Sequence, residues 1–273
     1  MSYKSILVNL DIDRPIASIT KAAMELASRS GARLIGVCAA DAPMPMMVPE
    51  AAYMATETWQ QMRGGIEERI EQVHAAFRDL TAGGIETEWR GAILPPTDAI
   101  VAGARMADLV VMAAADGAKS GDAYRTADPA SVVLRAGRPL LVIGSDKEEI
   151  PARKIVIGWK DTREARRAVA DALPLLSIAY DVTVVTVTTE ATAIEKQSVA
   201  DVVSYLARHN VKAKSRLIKS SDETIGFLQF IDESRPDLIV TGAYGHSRVR
   251  EWVFGGVTRF LLDETGRNRF MSC

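Results

Sequence analysis

Cysteine is almost missing from this chain. Only Cys38 and Cys273 occur in 273 residues, far apart and without metal spacing. A disulfide framework or a cysteine-based metal site is therefore excluded, and Cys38, inside an apolar run, reads as a reduced core residue. An excess of one charge is missing too. The net charge of −2 gives no global pull toward nucleic acid or an anionic membrane. No apolar run approaches the roughly 20 residues that span a bilayer. The opening Met1-Ser-Tyr-Lys-Ser enters a strand at once and carries no secretory signal. A cytoplasmic location, no membrane span and no nucleic-acid partner are the expectations. Catalytic patterns are equally scarce. Of three histidines, His246 lies near no cysteine or second histidine, and no Ser-His-Asp order occurs. The glycine spacings of the dinucleotide fingerprint and of the Walker loop do not occur either.

What is present is an ordinary globular composition, 48% hydrophobic and 25% charged, with length for two domains or one large one. Internal repetition is the informative signal. Lys4-Ser-Ile-Leu-Val-Asn-Leu-Asp11 resembles Arg153-Lys-Ile-Val-Ile-Gly-Trp-Lys160, and Ala107-Asp-Leu-Val-Val-Met-Ala resembles Pro236-Asp-Leu-Ile-Val-Thr-Gly. Two halves follow, 1–146 and 151–273, with a polar linker over 145–151.

Within each half apolar runs and helical periodicities alternate. In the first, strands are expected over 5–10, 33–39, 85–90, 109–113 and 139–143, with helices over 16–30, 97–106 and 129–135. An insertion around 43–83 holds a Met- and Pro-rich stretch, Pro43 to Pro49, and a long helix over 51–82. That stretch reads as a loop over its own domain or as a contact surface or lid. The second half offers strands over 154–158, 182–188, 212–217, 238–241 and 269–273, with helices over 198–208, 224–232 and 257–262. A further helix opens at Asp161, with Glu164 as its capping-box partner, and shows Ala165, Ala168, Val169, Ala172, Leu173 and Leu176 on one face. The fold class is α/β: two Rossmann-like domains, each a five-stranded, mainly parallel sheet with helices on both faces. Ligands would enter at the carboxyl ends of the strands, beside the switch point.

One stretch lies at such an end. Gly242-Ala-Tyr-Gly245-His246-Ser-Arg248-Val-Arg250 leads through Trp252 to Gly255-Gly256-Val257-Thr258. Glycines admit close approach of an anion, and the first N–H groups of a helix are free to bind it. This Gly-x2-Gly-x9-Gly spacing resembles the nucleotide loop of the universal stress protein family. With the repeats, the chain is similar to two such proteins in tandem. The resemblance implies an adenine nucleotide, ATP, bound in the second half, with accompanying Mg²⁺ left open, and a stress-sensing or regulatory role. It implies that the halves pack as a pseudo-dimer, with a further homodimer left open.

The resemblance carries the family's strand-end acid onto Asp11 in the first half but onto Lys160 in the second. A family backbone contact falls on Val187. Gly256 stands where the family has Ser or Thr, and Thr258 lies two residues on. In the first half the loop has lost its paired glycines, and Asp116, Asp128 and Pro129 replace an anion site with acid and a residue lacking an N–H. The site residues expected are thus Gly242, Gly245, His246, Arg248, Gly255, Gly256, Val257 and Thr258, with Trp159, Lys160 and Val187. For several a plainer role stays open: a solvated loop group for His246 and Arg248, core packing for Trp159. No catalytic residue is assigned. A slow ATP hydrolase in the same pocket, or a module for an apolar or protein ligand, are the alternatives.

Overall fold

The computed structural model describes residues 2–44, 52–114, 122–145, 147–244, 256–263 and 265–273. The strands are β1 (Ser5–Asn9), β2 (Arg33–Ala40), β3 (Thr87–Ile93), β4 (Leu109–Ala113), β5 (Leu140–Ile143), β6 (Lys154–Gly158), β7 (Asp181–Thr188), β8 (Ala213–Lys219), β9 (Leu238–Gly242) and β10 (Arg269–Ser272). The helices are α1 (Ala17–Ser30), α2 (Ala52–Thr81), α3 (Pro96–Gly103), α4 (Pro129–Arg135), α5 (Arg163–Asp171), α6 (Leu173–Leu176), α7 (Ala193–Arg208), α8 (Glu223–Ser234) and α9 (Gly256–Asp263). Most elements fall where the periodicity puts them. Gly31, at φ 63°, ends α1 in the left-handed conformation that glycine takes without strain.

Three local readings change. The N-cap of α5 is Thr162, whose hydroxyl accepts from Ala165 N at 3.2 Å, because Arg166 holds the Asp161 carboxylate. The helix expected to run to Leu176 breaks at Ala172, since Pro174 has no N–H to continue it. In α7 the start moves up to Ala193, fixed by a capping box of Thr192 and Glu195.

All ten strands form one sheet, in the order β3-β2-β1-β4-β5-β10-β9-β6-β7-β8. The two five-stranded sheets expected are therefore joined. Each run of five is parallel, and the seam is antiparallel, with Arg269 opposite Val142, Phe270 opposite Leu141 and Met271 opposite Leu140. Both seam strands are buried along their whole length. The two edges cover one another, and the one charge they carry, Arg269 of β10, is itself fully buried.

One apolar cluster runs along one face beneath α1, α2, α5, α6 and α7, and it includes Leu141 and Phe270 from the seam. The opposite face holds two clusters, one beneath α3 and α4 and one beneath α8 and α9. Polar ties cross between the runs: Tyr3 Oη donates to Asp171 O at 2.7 Å, and Ser145 N to Thr265 O at 2.7 Å. The connection over 145–151 is also anchored, for Ile150 is fully buried and its carbonyl accepts from Arg29. Among the described residues no helix is long and apolar enough to cross a membrane. Of the Met- and Pro-rich stretch only Pro43 and Met44 belong to the described residues, both exposed.

Candidate functional site

At the carboxyl ends of β6 and β9 four elements converge: the Gly158-Trp159-Lys160 exit, the Thr241-Gly242-Ala243 exit and the first turns of α8 and α9. Gly242 is placed there by packing. A Cβ on it would lie 2.5 Å from Ala165 N and 2.7 Å from Glu164 C, so the start of α5 sits directly on the strand end. Gly256 opens α9, and its missing Cβ would meet Thr224 Oγ1 of α8 at 2.5 Å. The close approach of two helix starts explains a glycine where a hydroxyl residue is expected. Val257 packs with Phe227, Ile231 and Leu261, and Thr258 is half-buried beside it.

Lys160 leaves the strand end pointing at α8. Its Nζ lies 3.0 and 2.9 Å from the two carboxylate oxygens of Glu223, in an exposed ion pair. Trp159 turns to the other face. Its indole N–H donates to Ser198 Oγ at 3.0 Å, its carbonyl accepts from Thr186 Oγ1 at 2.8 Å, and the ring joins the cluster beneath α5 and α7. Val187 pairs with Ile218 and lies under Gly226 of α8. Gly245, His246, Arg248 and Gly255 lie outside the described residues. So the structure brings Lys160, Gly242, Gly256, Val257 and Thr258 to one mouth and sets the Trp159 ring behind the sheet. Glu223 and Thr224 are mouth residues that pattern reading missed. Their signal is Asp222, which caps α8 by accepting from Ile225 N at 3.0 Å and so fixes where that helix starts.

The corresponding mouth of the first half is built from opposite charges. Arg125 grips Asp13 at 2.6 and 2.5 Å, and Arg14 lies 3.7 Å from Asp11 while donating to Ala114 O. Asp128 accepts from Ala130 N, Ser131 N and Ser131 Oγ at 3.1, 3.0 and 2.6 Å. A carboxylate of the chain itself thus occupies the amides of α4. Burial raises the Asp11 carboxyl above its ordinary value. The hydrogen bonds from Arg125 hold Asp13 below its own. A carboxylate depressed in the folded state adds stability above its unfolded pKa of about 3.9, and this is lost as pH falls through the folded value. Arg125→Gln is expected to raise the Asp13 pKa in an NMR titration and to remove that acid-limb contribution. An unmoved Asp13 titration would show that the pair does not hold in solution.

Among the described residues no three His, Cys, Asp or Glu side chains are grouped as a metal site.

No protein-family model and no curated protein sequence matches the chain. Solved structures do. A universal stress protein from Archaeoglobus fulgidus superposes with a TM-score of 0.68 at 10% identity, over 98% of this chain and 95% of that one. A functionally unknown protein from Pseudomonas aeruginosa gives 0.60 at 12% identity, over 99% and 92%. The cytoplasmic domain of a prokaryotic cation chloride cotransporter gives 0.54 at 11% identity, over 98% and 94%. At such identities the likeness is one of fold: a single chain with a universal-stress-protein-like α/β architecture.

Proposed function

We propose that this chain is a tandem universal stress protein, with domains 1–146 and 151–273 packed as a pseudo-twofold pair, and that the second domain binds an adenine nucleotide, ATP. The reading makes it a cytoplasmic sensor or regulator, in which occupancy matters rather than turnover. The backbone amides of Gly256, Val257 and Thr258 at the start of α9 would hold phosphate, with Gly245, His246, Arg248 and Gly255 completing the loop. Val187 would border the base, and Lys160 would reach the phosphates.

The observation that carries this reading is the difference between two equivalent helix starts. In α4 the cap is an acid, Asp128, already bonded to the first amides. Before α9 the sequence has Gly255 in place of an acid, and its first turn, like that of α4, holds no acidic residue. A helix N-terminus without its own acid attracts an external anion. Bound nucleotide would supply the phosphate charge. This chain's residues would orient it and, at Lys160, exchange Glu223 for phosphate.

That exchange gives the test. Gly255→Asp puts an acid directly before α9, as Asp128 stands directly before α4, and is expected to weaken ATP binding at least tenfold in isothermal titration. Glu223→Gln, by releasing Lys160, is expected to strengthen it severalfold. Mass spectrometry of the purified protein should find a nucleotide. No nucleotide, no heat at millimolar ATP and an indistinguishable Gly255→Asp protein would reject the reading. The Lys160–Glu223 pair favours a second reading, a module for a ligand other than nucleotide, which predicts that Glu223→Gln leaves ATP binding undetectable.

A further inference from the structure

The two rims of the ten-stranded sheet are not alike. On one, β8 displays Lys214, Arg216 and Lys219, all exposed. Charges of this kind on an edge strand obstruct pairing with another chain. The other rim is β3, Thr87-Glu-Trp-Arg-Gly-Ala-Ile93, which carries neither lysine nor proline and whose one cation, Arg90, is paired with Glu88 of the same strand at 2.6 Å. Its inner side is bonded to β2: Leu34 N donates to Glu86 O at 2.9 Å, and Leu34 lies opposite Thr87. In a parallel ladder this register turns the N–H and C=O groups of Thr87, Trp89, Gly91 and Ile93 outward. Among the described residues no strand pairs with them.

A groove of about 1280 Å³ runs along this rim. Its two walls differ in chemistry. The α2 wall presents Glu67, Glu68 and Glu71, all exposed. Glu67 and Glu71 are four apart on one helix, a like-charge spacing that destabilises the helix unless a cation intervenes. The α3 wall is small and mainly apolar: Ala99, Ala102 and Gly103, with Leu94 46% exposed, and its one charge is Arg105, whose Nε donates to Ala102 O at 2.7 Å. Because Trp89 and Ile93 pack on the α2 side and Ala92 on the α3 side, the walls stand over opposite faces of the strand.

We propose that the outer edge of β3 binds an extended segment of a partner polypeptide as an added strand. Its basic side chains, at alternate positions, face Glu67, Glu68 and Glu71, and bulky apolar side chains between them lie over Ala99, Ala102 and Leu94. Strand addition draws affinity from the backbone and specificity from alternate side chains. Alternation is required because successive residues of a strand point to opposite faces. The proposal is independent of nucleotide binding in the second half.

The test uses two fluorescein-labelled octapeptides of equal composition, Lys-Leu-Lys-Val-Lys-Leu-Lys-Val and Lys-Lys-Lys-Lys-Leu-Val-Leu-Val, titrated into the full chain by anisotropy. The alternating peptide is expected to bind at least tenfold more tightly. The triple variant Glu67→Lys/Glu68→Lys/Glu71→Lys should abolish that preference. Thr87→Pro, which removes an outward N–H and leaves the β2 ladder intact, should weaken binding tenfold. Hydrogen exchange of the unmodified protein, which involves no variant that could misfold, should show slowed amides at Thr87, Trp89 and Gly91 when the alternating peptide is bound. Equal binding of the two peptides, or protection confined to any other strand, would overturn the proposal.

Discussion

Replacing Phe270 by alanine is expected to lower the unfolding free energy by about 4 kcal/mol. The ring is fully buried, sits on β10 opposite Leu141, and joins one cluster to which α1, α2, α5 and α7 all contribute. Truncation removes the transfer energy of a phenyl group and leaves a cavity that a sheet paired on both sides cannot collapse around. Its position at the seam makes the form of the transition informative. Since β5 and β10 tie the two runs of strands through backbone and core alike, the denaturation curve should move as one transition. Circular dichroism and tryptophan fluorescence, followed together in urea, measure this. Two separate transitions, of which only the second half's moved, would mean that the seam does not couple them.

Gly242→Val is expected to cost about 3 kcal/mol, an overpacking effect at the upper end of its range because the obstacle is backbone. The new Cβ would meet Ala165 N at 2.5 Å and Glu164 C at 2.7 Å. Side chains can rotate away from an intruder, but the first turn of a helix can only shift as a body. For a chain of this size the midpoint should fall by roughly 6–12 °C. A glycine serving only to admit phosphate would give the reverse pattern, an unchanged midpoint with lost ligand affinity. Calorimetry without ligand separates the two, and a midpoint within about 2 °C of the parent would dismiss the packing account.

Both variants bear on what could be read before any coordinates. Strands such as Leu109–Ala113 and Lys154–Gly158, and the helix Pro129–Arg135, were legible to the residue, because each is bounded by a local stop: an aspartate, a glycine or a proline. The capping box of Thr192 and Glu195 is equally local, but an expectation built on apolar spacing starts α7 at 198, five residues after its observed start at Ala193. The joined sheet was not legible. Leu140–Ile143 and Arg269–Ser272 read as ordinary core strands, and nothing in either names its partner across the seam. At the candidate site the glycines were conspicuous, but spacing alone could not distinguish a glycine beside a ligand from one beside a helix. The Lys160–Glu223 pair links residues far apart in sequence, and neither has a neighbour that announces it.

The antiparallel seam also dictates an order of events during folding. Leu141 and Phe270 meet only after a long stretch of chain has been gathered, and the entropy of closing such a loop must be met before the contact contributes. Local βαβ pairings form sooner. Before closure, two short, mainly apolar strand rims stand bare at once, each able to take a rim from a neighbouring molecule instead. Refolding yield should therefore fall as protein concentration rises, even though the finished sheet leaves neither of those rims open.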